Sequence, residues 1–261
     1  MSNPLWLRAF FAAVLVQALL VGSALIEPRW ISLVLPWPAS PLNTRFIASL
    51  YLMGAISAAL CLFASSLAAV RIPLLQIGFV TGALLLITIP HFGEFSRDTF
   101  PYRWTVFYTV DPVLAFAIAW ALRGRDRARG SNPNQLIFMA YAATLCVAGL
   151  VLLFFPAVAV AMWPWSLPPV LGLVYSVFFF TCALGGVLAA REPRWTGIRI
   201  YCAANAGMFV LVLLVSLYHK DRFVSGPSSA IWFSLWVAAL AAFTLPFVRR
   251  AREIQPQKVL T

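Results

Sequence analysis

Apolar residues fall into eight long runs separated by short polar breaks. The runs cover roughly 5–26, 45–67, 73–92, 104–122, 135–156, 169–190, 198–219 and 230–248. An α-helix rises about 1.5 Å per residue, so about 20 residues cross the hydrocarbon core of a bilayer. Each run has about that length. Polar and apolar residues do not alternate strictly within them, which argues against the strands of a membrane barrel. A helix also satisfies its own backbone in lipid, as an open strand cannot. The pattern predicts an all-α integral membrane protein with eight transmembrane helices.

The pattern also repeats. Shifted by 156 − 28 = 128 residues, the first half falls on the second without a gap. Pro28 falls on Pro156, Pro36-Trp37 on Pro164-Trp165, Pro41 on Pro169, Arg71-Ile72 on Arg199-Ile200, His91 on His219, Phe95 on Phe223 and Trp104 on Trp232. Apolar matches mean little in such a chain, but Trp, His, Pro and Arg are scarce, and all match in one register. The expectation is two tandem parallel four-helix repeats. An even number of helices per repeat sends both halves into the membrane in the same direction, related by a pseudo-two-fold axis along the membrane normal. The expected units are 1–122, a polar linker 123–134, a second repeat 135–250 and a tail 251–261. The first run could pass for a signal peptide, but its match near 135–156 is internal, so it is expected to stay as a helix.

Composition narrows the class. Of 261 residues, 62% are hydrophobic and only 10% charged, where soluble domains carry about 25% charged residues. Counting Lys and Arg by the side on which each loop falls puts 13 on the side of both termini and six on the other. Positive charge gathers on the cytoplasmic side. Both termini are therefore expected in the cytoplasm, with the chain in a cell membrane, as in a bacterial inner membrane. The net charge of +11 then reflects topology and contact with lipid headgroups, and nucleic acid is not an expected partner. Cys61, Cys146, Cys182 and Cys202 lie inside predicted helices at no metal-ligand spacing and read as small apolar packing residues.

Candidate chemistry gathers toward the expected outer side. The stiff segment Leu35–Leu42 contains Trp37 and matches Trp163–Val170. It reads as an interfacial aromatic anchor or as a rigid lid over a cavity. His91 and His219, the only histidines, close helices three and seven. Each is expected to cap helix-end carbonyls, and facing each other across the axis they could share a metal or a haem. No cofactor is otherwise expected. Glu94, Arg97, Asp98 and Arg103 form a polar cluster that is poorer in the second half.

Asp111 is the one carboxylate expected within the hydrocarbon. An acid there is costly, of order 3 kcal/mol on insertion scales, and marks a functional candidate by default. Asp111-Pro112 also reads as the cap and first turn of a broken helix four. Arg45 or Arg103 is the expected cationic partner. Gln17, Gln76, Thr81 and Asn205 read as interhelical hydrogen-bonding residues. The first half has Arg45, Glu94, Asp98 and Asp111 where the second has Leu173, Arg222, Gly226 and Ala239. A site is therefore expected in the first half, between helices two, three and four, drawing on Asp111, His91, Glu94, Arg45, Trp37 and Trp104, with His219 as the matched histidine.

The segments Pro36-Trp37-Pro38…Pro41-Leu42 and Trp163-Pro164-Trp165…Pro169 carry a resemblance. With the four-helix plan they resemble a group of uncharacterised bacterial multi-pass membrane proteins that have a Pro-Trp-rich loop in each tandem repeat. The resemblance implies the fold and no activity. Phosphate loops, CxxC, HExxH and GxSxG motifs are absent. Small-molecule or lipid handling through a cavity open to the outer side is the expected function. The alternatives are a structural or partner-binding subunit of a membrane complex and a membrane enzyme, including a redox-active one. Expected partners are membrane lipids and another membrane protein.

Overall fold

A computed structural model describes residues 4–33, 39–94, 101–123, 130 and 132–258. Among the described residues the chain is helical, with no strand. Eight helices are long and apolar enough to cross a membrane: α1 (Leu5–Gly22), α2 (Pro41–Leu62), α3 (Leu67–Thr88), α4 (Pro101–Ala121), α5 (Gln135–Phe154), α7 (Pro169–Ala190), α8 (Trp195–Tyr218) and α9 (Pro227–Lys258). The short helix α6 (Pro156–Met162) and 3-10 turns at Pro28–Leu33, Ile89–Glu94 and Lys220–Arg222 connect them. This is the all-helical fold of a multi-pass membrane protein.

Local chemistry places the helix starts. Ser40 caps α2, its Oγ accepting from the Asn43 amide at 3.4 Å, and Pro41 takes the first turn, where it forfeits no hydrogen bond. Pro169 does the same for α7. Arg71, Pro73 and Arg199 look like breaks in the sequence but lie inside α3 and α8, which begin about a turn earlier. Helix four is not broken at Asp111-Pro112. α4 runs unbroken through Pro112, so Asp111 sits in mid-helix and is not an N-cap. The expected tail is also helical, as α9 continues to Lys258.

Four helices make the centre. α2 packs on α8 and α3 on α7, while α3 meets α8 and α2 meets α7. The outer helices lie against them: α1 on α2, α5 on α7, α4 on α3 and α9 on α8. Burial follows this order, with 72% of the α7 span buried but 22% of α4 and of α9. The two halves therefore do not stand as separate bundles. They interlock through the central four helices.

Lipid gives helices no hydrophobic reason to associate, so close packing and hydrogen bonds must hold them. Small residues supply the closeness. A methyl group added at Gly78 of α3 would lie 3.0 Å from the Phe116 ring and 3.2 Å from Ala115 Cβ on α4. At Gly186 of α7 it would lie 3.0 Å from the Phe138 carbonyl of α5. Gln76 Nε2 donates across to the Thr181 carbonyl at 3.1 Å, and Tyr141 donates to Asn205 Oδ1 at 3.1 Å. Gln76 and Asn205 thus make the interhelical bonds their polarity suggests.

Candidate functional site

A cavity of about 410 Å³ is lined mainly by the first half. α1 to α4 supply most of its wall, and Phe178 and Thr181 of α7 with Ala204 and Asn205 of α8 supply the rest. Leu20 on α1 and Phe107 on α4 line it, yet are 56% and 45% exposed. The cavity therefore reaches the apolar outer surface of the protein between α1 and α4. Leu50, Met53, Ile77 and Val80 make its apolar lining.

The polar groups converge from α1, α2 and α4. Asp111 and Tyr108 are three residues apart and share one face of α4. Asp111 is only 5% exposed, and Gln17 Nε2 donates to its Oδ1 at 3.4 Å. The Tyr108 and Tyr51 hydroxyls are hydrogen-bonded to each other. Trp104 stacks on Tyr108 with ring centroids 4.0 Å apart and planes at 20°. Among the described residues no cation is found within 4 Å of the Asp111 carboxylate, whereas Glu27–Arg29, Glu192–Arg194 and Asp221–Arg222 are ion-paired elsewhere.

Of the candidate site residues of the sequence, Asp111 and Trp104 meet in this cavity, joined by Gln17, Gln76, Thr81 and Asn205. Arg45 does not join them. Its Nε donates to the Leu25 carbonyl at 3.0 Å, its Nη1 donates to His219 Nε2 at 2.9 Å, and its guanidinium lies 5.0 Å above the Tyr218 ring. His91 Nδ1 donates to the Ile87 carbonyl of its own helix at 2.8 Å, the helix-end role expected of it. The two histidines thus have different partners, Ile87 for His91 and Arg45 for His219. Among the described residues no three His, Cys, Asp or Glu side chains are grouped to hold a metal. Trp37 and the side chains of Glu94 and Arg103 lie outside the described residues.

His219 lies just beyond the α8 span. Burial holds its pKa below the ordinary histidine value, and the positive charge of Arg45 adds to the effect. Accepting a hydrogen bond at Nε2 requires that nitrogen to be unprotonated.

In the second Pro-Trp segment the Trp165 side chain packs inward against the helices. Trp165 is 3% exposed and packs edge-on against Phe46 and Trp232. Its indole donates to Asn43 Oδ1 at 2.7 Å, and the Tyr175 hydroxyl donates to the same atom at 2.8 Å. Asn43 Nδ2 donates in turn to the Ser166 carbonyl at 3.2 Å. Asn43 therefore ties α2 to the second half. The linker ends in a similar tie: Asn132 Nδ2 donates to the Ala189 and Glu192 carbonyls at 2.7 and 2.8 Å, closing the end of α7.

A second hollow of about 300 Å³ lies between the other ends of α3 and α4, lined by Leu74, Phe116, Ala119, Trp120, Arg71 and Arg123. The Arg123 guanidinium sits 3.0 Å over the Trp120 ring. Compared with family models, curated proteins and solved structures, the chain matches none.

Proposed function

We propose that this membrane protein binds a lipophilic small molecule or a lipid in the cavity between α1 and α4. The observation that carries the reading is Asp111, a carboxylate on a membrane-spanning helix that lines an apolar cavity reaching the outer surface of the protein. The volume lies in the range of small-molecule sites, and a few polar groups in an apolar wall are their usual make-up.

The reading includes a tandem duplication in which only the first copy kept this space. In its support, α2 and α7 each have 22 residues and begin at Pro41 and Pro169, 169 − 41 = 128 residues apart. The packing pairs also exchange under that shift: α1 on α2 becomes α5 on α7, α3 on α4 becomes α8 on α9, and α2 on α8 becomes α7 on α3. Thr81, on the cavity wall, matches Phe209, which is fully buried against Trp236 and Phe243. Phe209 thus occupies the space that Thr81 leaves open.

The charge asymmetry supports cytoplasmic termini, and a bacterial inner membrane is the proposed location. The Trp104 end of the cavity then points to the outer leaflet, and Arg71 and Arg123 meet inner-leaflet lipid headgroups. The test is to purify the protein from membranes and extract what it carries. A lipophilic compound at near-stoichiometric yield, lost in Thr81→Phe, is the expected result. Equal recovery from wild type and variant, or recovery from neither, contradicts the reading.

A further inference from the structure

We infer that the ligand of this cavity is a lipophilic organic cation whose charged centre is held at Asp111. The inference rests on the proposed use of the cavity as a binding site and adds the chemical class of the ligand.

The charge balance of the cavity points there. The Asp111 carboxylate is buried, and its partner is the neutral amide of Gln17. Of the two arginines that the sequence offered as counter-ion, Arg45 is engaged with Leu25, His219 and Tyr218, and the side chain of Arg103 lies outside the described residues. No other described cation lies within ion-pair distance. A buried anion in hydrocarbon calls for a positive partner. A ligand can bring that charge only if the surroundings also suit a cation, and here they do. Tyr51, Trp104, Phe107, Tyr108 and Phe178 all line the cavity, and the faces of aromatic rings attract cations, Trp most strongly. An anionic ligand would meet repulsion from Asp111. A neutral one would bring no counter-charge to the carboxylate, which would then have to take up a proton instead.

The walls and the opening fix the rest of the ligand. Leu50, Met53, Ile77 and Val80 suit hydrocarbon or aromatic substituents around the charged centre. The opening between Leu20 and Phe107 lets such a molecule enter from the bilayer, where lipophilic cations dissolve.

Three probes of one shape separate charge from fit: tetraphenylphosphonium, neutral tetraphenylmethane and anionic tetraphenylborate. Binding is measured by equilibrium partition against the full-length protein in phosphatidylcholine nanodiscs, with empty nanodiscs as blank. Tetraphenylphosphonium is expected to bind, and tetraphenylborate is not. Asp111→Asn keeps an acceptor for Gln17 and should weaken the phosphonium roughly 10- to 100-fold, the equivalent of one charge-assisted contact. Two variants fill the space. Thr81→Phe copies Phe209, and Gly54→Leu grows into room where an added Cβ meets nothing within 4 Å. Either variant should abolish binding, and thermal unfolding identifies which of them is folded. If a folded filling variant abolishes binding while charge makes no difference, or while Asp111→Asn binds like wild type, the cavity is a site and the cation inference is wrong. If filling leaves binding unchanged, or no probe binds, both readings fail.

Discussion

Asn43 Oδ1 accepts from two buried donors, the Trp165 indole and the Tyr175 hydroxyl. Replacing it by leucine, the residue at the matched position Leu171, leaves both without a partner. Each unmade bond costs about 1–3 kcal/mol, so Asn43→Leu should lose roughly 2–6 kcal/mol. Thermal unfolding in detergent reads this, and a midpoint equal to wild type would show that the tie is not structural. His219 predicts a pH dependence. Its pKa is lowered in the fold, chiefly by burial and then by Arg45. The unfolded chain therefore binds the proton more readily, and stability is lost as pH falls from the ordinary histidine value near ~6.5 through the folded one. Unfolding midpoints should drop between about pH 7 and pH 5 in wild type and drop less in His219→Gln. Equal slopes would remove His219 from the account. At this scale the sequence was partly legible. Asp111 and Trp104 stand out because an acid and a tryptophan are conspicuous in an apolar run. Tyr51 and Asn43 did not stand out, because their roles depend on which way α2 is turned, and one-dimensional spacing does not show that.

Helix number and approximate position follow from the apolar runs, because hydrocarbon thickness sets helix length. Helix ends follow less well. Arg71, Pro73 and Arg199 read as breaks, yet α3 and α8 extend through them. A helix can run on into the headgroup layer, where a long arginine side chain reaches water. The proline of α4 misled in the same direction. A break at Asp111-Pro112 is sound local chemistry, but α4 stays whole, with Pro112 packed over Gly82 of α3. Packing overrides propensity at that point. In the second Pro-Trp segment the direction of the tryptophan side chain was not legible. Tryptophan favours the interface in general, but Trp165 has a buried acceptor in Asn43 and is drawn inward.

The whole molecule is two halves interlocked through α2, α3, α7 and α8, with α1, α4, α5 and α9 outside. That arrangement matters for the cavity. Its floor is supplied by the second half, through Phe178, Thr181, Ala204 and Asn205, and its open side by the outer helices α1 and α4. A half on its own would lack the floor, so the site belongs to the assembled eight-helix unit. The interlocking was not legible, since apolar runs set the number of helices and leave open which faces meet. The central claim is that the bilayer has access to the space around Asp111. Photolabelling the protein in nanodiscs with a lipophilic alkyl diazirine tests it most directly, because such reagents react with what they contact in the membrane. The account predicts adducts concentrated on Asp111 and on the rim residues Leu20 and Phe107, with the Asp111 adduct lost in Thr81→Phe. Labelling spread evenly over the lipid-facing residues of all eight helices, with Asp111 unmarked in wild type, would contradict it.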